Sequence, residues 1–159
     1  MDPLTMAGLG KAGAAAAIAL AAVGSAIGTG TAGMAAIGSW KKCYAQGKAA
    51  PFLLLIFIGA PLSQTIYGMI LMRQMLGPFE EGADAAVLQA ATGNWPALLI
   101  GGALGGIAMA MSAVWQGRAG AAGADALGET GQGFGNYLMT IGVVETVALF
   151  VMVFIQAAL

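Results

Sequence analysis

The chain has 159 residues, of which 59% are hydrophobic and only 8% are charged. About a quarter of the residues of a soluble globular domain are charged, so this composition excludes that class and predicts a membrane protein. The formal net charge of −1 offers no basic surface for nucleic acid, and the lack of histidine with a single cysteine excludes the usual transition-metal catalysis.

The few charges are clustered, and they leave four long, nearly uncharged runs. A spanning helix needs about 20 apolar residues. Each run therefore predicts one transmembrane helix, and the expected helices cover about residues 12–40, 51–76, 95–126 and 132–158. Short connections between them predict two helical hairpins, in residues 1–80 and 81–159.

The distribution of charges between the two ends predicts the orientation in the membrane. The first connection is basic and the opposite end is acidic, with Lys41, Lys42 and Lys48 against Asp2, Glu80, Glu81 and Asp84. Basic connections face the cytoplasm. We therefore expect both termini outside, and the connections between helices one and two and between helices three and four in the cytoplasm.

The first predicted helix is rich in Ala and Gly, a composition that lets membrane helices pack closely. Residues 28–33 match the GxGxxG pattern of dinucleotide-binding loops, but that pattern has meaning only between a strand and a helix, so the match is rejected. Pro51 is expected in the first turn of the second helix, which is bulky, and Pro78 near its end.

An acidic segment follows, and we expect it to be a solvated loop. Asn94, Trp95 and Pro96 then predict the start of the third helix. This helix is again rich in glycine, and the fourth is bulky like the second. The alternation predicts an internal repeat and two packing layers.

The repeat can be followed along the sequence. Residues 25–33 align with residues 112–120, and residues 64–66 align with residues 145–147. The chain is therefore predicted to be a duplicated hairpin, an arrangement common in membrane transport proteins with midplane sites. Gln64 occupies in the first hairpin the position of Glu145 in the second, which leaves one ionisable site per chain.

Glu145 is the only charged residue between Phe134 and Leu159, and it lies near the middle of the last predicted helix. A carboxylate at that depth costs about 2.5–3.5 kcal/mol on insertion scales and indicates a functional site by default. The alternative is a permanently protonated, structural Glu145 that a neighbouring helix caps.

Polar residues of two other helices are expected at the depth of Glu145. Gln116 and Glu145 lie equally far from the last connection, and Gln64 and Gln116 equally far from the acidic one. Ala60, Ser63, Gln64 and Tyr67 also share one helix face. Carboxylate, amide and hydroxyl oxygens suit a hard cation, whereas a proton needs little more than one carboxylate. The alternative is that these polar groups only hold the helices together.

The sequence resembles the sixteen-kilodalton-type proteolipid, or K subunit, that forms the rotor ring of V-type and A/V-type ATPases. The residues that carry the resemblance are 61–68, 116–123 and 144–146. Together, Gln64, Tyr67, Gln116 and Glu145 are similar to the sodium-translocating branch. The resemblance implies that Na⁺ is bound by the Glu145 carboxylate, the amide oxygens of Gln64 and Gln116, the Ser63 hydroxyl and the Ala60 main-chain carbonyl, with Tyr67 hydrogen-bonded to Glu145.

The resemblance also implies a place in a larger machine. The chain would be a non-catalytic subunit of the cell membrane, without a cofactor other than the transported ion, and without direct contact to nucleotide. Its partners would be identical chains in a ring, a stator subunit with a membrane Arg, central-stalk subunits and lipid. Arg118 lies about 200° around its helix from Gln116 and is expected to point into the ring, towards the cytoplasmic end.

Three alternatives stay open from the sequence. A ring with the same role could be specific for H⁺. A small proton-coupled multidrug exporter also has four helices, but there we would expect the acid in the first helix, among aromatic residues, and no duplication. A purely structural proteolipid would explain the glycine-rich helices, but it would leave Glu145 without a role.

Overall fold

The structure is a computed structural model that describes residues 1–159. It contains no strand, and four of its helices are long and apolar enough to cross a membrane. They are called here the first to fourth helices: Pro3–Ala45, Leu54–Phe79, Trp95–Thr130 and Phe134–Ala158. The predicted all-α membrane fold with four spanning helices is confirmed.

The first helix is longer at both ends than the predicted residues 12–40. It begins at Pro3 because the Asp2 carboxylate accepts hydrogen bonds from the hydroxyl and the backbone N–H of Thr5. These hydrogen bonds hold the pKa of Asp2 below its ordinary value. At the other end, Lys42 forms an ion pair with Asp125 of the third helix at 2.7 Å.

The second helix begins later than predicted and is not uniform. It starts at Leu54, so Pro51 lies before the first turn instead of within it, and its carbonyl accepts a hydrogen bond from the indole of Trp40 at 2.9 Å. Ala60–Leu62, which contains Pro61, forms a turn of 3-10 helix. Since proline has no N–H and crowds the preceding turn, the regular hydrogen-bond pattern changes there.

The acidic segment is only partly the solvated loop that was predicted. Glu80, Glu81 and Asp84 are exposed, but a short helix, Ala85–Gly93, follows directly. Asp84 begins this helix by accepting a hydrogen bond from the N–H of Ala86 at 2.7 Å. The expectation of a plain loop was therefore wrong for the second half of the segment.

The first and third helices lie parallel and form one layer, held together by close backbone contact. A Cβ added to Gly28 would lie 2.2 Å from the Ala113 carbonyl oxygen, and one added to Gly117 would lie 2.2 Å from the carbonyl oxygen of Gly28. Gly13 and Gly102 meet in the same way nearer the N-terminal ends of these helices. Only glycine permits this distance between the two helices.

The second and fourth helices form the other layer. The second helix covers the groove between the first and the third, with Gly68 on Ala21 and Phe57 beside Gly120. The fourth helix packs on the third and touches the second, where the rings of Phe57 and Phe134 stack at 5.5 Å. The alternation of small and bulky helices in the sequence thus corresponds to two layers.

Candidate ion-binding site

The two glutamines predicted to share one depth are in direct contact. Gln64 in the second helix and Gln116 in the third are both fully buried. The amide nitrogen of Gln64 donates to the Gln116 side-chain oxygen at 2.8 Å and, more weakly, to the Ser112 hydroxyl at 3.4 Å. The break at Pro61 comes one turn before Gln64, so this amide lies where the second helix changes its hydrogen-bond pattern.

Glu145 joins this pair from the fourth helix. Its Oε2 accepts a hydrogen bond from the Gln116 side-chain nitrogen at 3.2 Å, and its Oε1 accepts one from the Tyr67 hydroxyl at 2.7 Å. Each carboxyl oxygen of Glu145 therefore has one hydrogen-bond partner from another helix. The side chain is only partly buried in the single chain.

No cationic side chain neutralises Glu145. The one ion pair of the chain joins Lys42 to Asp125, far towards the ends of their helices. Bare charge at this depth is costly. The charge of Glu145 must accordingly be balanced by something that the chain itself does not supply.

Ser63 and Ala60 extend the polar cluster along the second helix. The Ser63 hydroxyl donates to the Ala60 carbonyl oxygen at 3.0 Å and lies 3.3 Å from the Gln64 side-chain oxygen. The Ala60 carbonyl also accepts a hydrogen bond from the backbone N–H of Ser63. An ion that binds this carbonyl would compete with the hydroxyl hydrogen bond.

The structure thus brings all six predicted site residues into one continuous cluster. They are Ala60, Ser63, Gln64, Tyr67, Gln116 and Glu145. Its potential ligands are all oxygens, with a single negative charge among them. The chain has no cluster of three or more His, Cys, Asp or Glu side chains, which is the usual arrangement for a transition metal or Ca²⁺. The assignment of these residues as ion ligands stays a prediction.

Ser112 is a member of the cluster that the sequence reasoning missed. It is buried, accepts from Gln64, and donates to the Val144 carbonyl oxygen at 2.9 Å. Two signals could have identified it, because Ser112 lies one turn before Gln116 on the same helix face and repeats Ser25 of the first hairpin. It fixes the third helix to the fourth beside Glu145.

Arg118 does not take part in the cluster. It is exposed on another face of the third helix, where its guanidinium lies 4.7 Å from the centre of the Trp115 ring. Its orientation into a ring stays a prediction.

No curated protein shows significant similarity to the chain, whereas a protein-family model matches part of it. Residues 99–155 match the family model that describes the C subunit of ATP synthase. The match includes Gln116 and Glu145, whereas the site residues of the second helix lie outside it. Over residues 99–155 the second hairpin is similar in sequence to the C subunit of ATP synthase.

Proposed function

We propose that this chain is the proteolipid subunit of the rotor ring of a V-type ATPase and carries one Na⁺ per chain at Glu145. The observation that supports this most directly is the hydrogen-bonded cluster that connects two buried amides, one hydroxyl and one main-chain carbonyl to a single carboxylate. The match of residues 99–155 to the C subunit of ATP synthase supports the rotor role independently of that geometry.

The charge of the cluster favours a monovalent ion. One carboxylate with one Na⁺ or one H⁺ is neutral, whereas a divalent ion would leave an uncompensated positive charge at membrane depth. Because Glu145 has no cationic partner within the chain, the transported ion is the natural counter-charge. The site would then alternate between a neutral loaded state and a charged empty state.

The number of oxygens favours Na⁺ over H⁺. A proton needs the carboxylate and at most one acceptor, whereas this cluster also holds the side-chain oxygens of Gln64 and Gln116, both fully buried. Ala60 and Ser63 add two more oxygens, which hydrogen bonds connect to the Gln64 side chain. A proton-specific ring with the same role is the main alternative.

The proposed working cycle follows from the exposure of Glu145. The side chain is partly exposed at the outer layer, where a neutral loaded site can face lipid and a bare carboxylate cannot. A membrane Arg of the stator would attract the bare carboxylate and promote release of the ion. Identical chains would form the ring, central-stalk subunits would connect it to the soluble head, and ATP would be hydrolysed there.

The proposed orientation puts both termini outside and the Lys42 end of the first helix in the cytoplasm. Lys42 and Asp125 would then link the first and third helices at the cytoplasmic surface.

The test is labelling of the purified protein with dicyclohexylcarbodiimide, which modifies a protonated carboxyl group in an apolar setting. We expect the labelled peptide to contain Glu145 and the labelling rate to fall as Na⁺ is added at constant pH. A Glu145→Gln variant, which should lose that labelled peptide, is the control for the assignment.

Two results would contradict the proposal at different levels. Labelling that depends on pH and is indifferent to Na⁺ would replace the sodium assignment with a proton-specific ring. No labelling of Glu145 at any pH would remove the carboxylate from ion transport altogether. A Gln116→Ala variant sharpens the sodium test, since it should keep the labelling and lose most of the protection by Na⁺.

A further inference from the structure

The internal repeat gives a template for how the first and third helices of different chains meet. Ser25 of the first helix is equivalent to Ser112 of the third, so Gly28 is equivalent to Trp115. By the same alignment, Ala26 and Gly30 of the first helix are equivalent to Ala113 and Gly117 of the third. A contact within the chain can therefore be translated into the corresponding contact between two chains.

Within the chain, Gly28 is the residue of the first helix that sits between Ala113 and Gly117 of the third. Its backbone is so close to both that a Cβ on Gly28 would be 2.2 Å from the Ala113 carbonyl oxygen. The translated contact sets Trp115 of one chain between Ala26 and Gly30 of the next. A glycine contact within the chain would thus become a tryptophan contact between chains.

The exposed surfaces fit this exchange. Trp115 is 54% exposed and Met111, one turn before it, is 50% exposed. Ala26 and Gly30 are exposed on the first helix, and a Cβ added to Gly30 would meet nothing within 4 Å. Trp115 is thus a large side chain without a partner on one edge of the layer. The small residues Ala26 and Gly30 form an open surface at the same depth on the other edge.

We propose that Trp115 of each chain packs into the space above Ala26 and Gly30 on the first helix of the next chain. This inference rests on the proposed ring, and it continues the helix contact already present within each chain. Because tryptophan replaces glycine at the centre of the contact, the first and third helices lie farther apart between chains than within one chain. The layer is then a series of alternating narrow and wide spacings, and Arg118, stacked on Trp115, borders the wide one.

The test uses pairs of engineered cysteines in the full chain, in a Cys43→Ser background that removes the single native thiol. Trp115→Cys combined with Gly30→Cys should be linked between chains by a short bifunctional thiol reagent and give a ladder of multimers on a denaturing gel. Ile100→Cys combined with Ala15→Cys, the equivalent of the Gly13 and Gly102 contact, should do the same. Ile100→Cys with Gly30→Cys is the matched control, since its depths differ, and it should give monomers.

The mass of the native assembly separates failure of this inference from failure of the proposed function. An intact ring without the expected ladder, or with an equal ladder from the control pair, would overturn the Trp115 contact and leave the rotor proposal standing. A protein that is monomeric in its native mass would overturn the ring itself. A second measurement needs no cross-linking. Trp115→Ala should lower the temperature at which the ring dissociates by several degrees, and Trp115→Phe should lower it by less. If both variants dissociate at the wild-type temperature, the contact is also contradicted.

Discussion

Replacement of Tyr67 by phenylalanine removes one hydrogen bond from the candidate site and keeps the aromatic side chain at that position. The lost bond is the 2.7 Å contact between the Tyr67 hydroxyl and Glu145 Oε1. Hydrogen bonds to charged groups contribute about 1.5–3 kcal/mol, while hydrogen bonds between membrane helices average about 0.6 kcal/mol and reach about 1.7. Since Tyr67 is only partly buried, we take the overlap of these ranges, about 1.5 kcal/mol, as the expected loss.

This loss corresponds to about a tenfold lower affinity for Na⁺, because 1.4 kcal/mol is a factor of ten in affinity. The measurement is the Na⁺ concentration that halves the rate of carbodiimide labelling at Glu145, and in Tyr67→Phe it should rise about tenfold. Tyr44→Phe is the matched control, since Tyr44 is 71% exposed and should leave this concentration unchanged. A Tyr67→Phe protein with wild-type protection by Na⁺ would refute the role given to the hydroxyl, even with Glu145 still labelled.

Other predictions concern the scaffold of the site. Gly28→Ala would force the first and third helices apart by about 1 Å to restore an ordinary contact, so we expect a loss of roughly 1–3 kcal/mol in the free energy of unfolding. Chemical denaturation in detergent measures this loss, with Gly8→Ala as the control because its added Cβ meets nothing, and equal stability of the two variants would contradict the contact. Lys42→Ala should change the denaturation midpoint very little, since the side chains of Lys42 and Asp125 are both more than half exposed. A large decrease in the midpoint would contradict this exposure and mean that the ion pair is shielded from solvent.

The contact among Gln64, Gln116 and Glu145 was predictable from the sequence for a simple geometric reason. Membrane helices are long and regular, so a residue's distance from a connection fixes its depth, and antiparallel neighbours share depth at equal distances. The structure places the amide of Gln64 2.8 Å from Gln116, and Gln116 3.2 Å from Glu145. The alternation of small and bulky helices likewise indicated the two layers, since glycine is what permits the backbone contact at Gly28.

Features that depend on local hydrogen bonding were not predictable in the same way. Pro51 is equally compatible with the first turn of a helix and with the segment before it, and the hydrogen bond from Trp40 to its carbonyl joins residues that no local pattern relates. The short helix Ala85–Gly93 was missed because the acidic residues before it are typical of a solvated loop. Only the capping contact of Asp84 with the N–H of Ala86 marks the point where the helix begins.

The predicted duplication places an amide in one hairpin at the position where the other hairpin carries the acid. Gln64 repeats Glu145 in sequence, yet in the structure it lies in the same cluster, where it binds Gln116 instead of serving a second site. An acid at position 64 would put a second carboxylate within this buried cluster, and two like charges there would compete for one cation. If the proposed function is right, Gln64 in place of an acid leaves one ion for two hairpins instead of one ion for each. The Gln64 amide then serves as a neutral ligand at the remaining site, which contains Glu145.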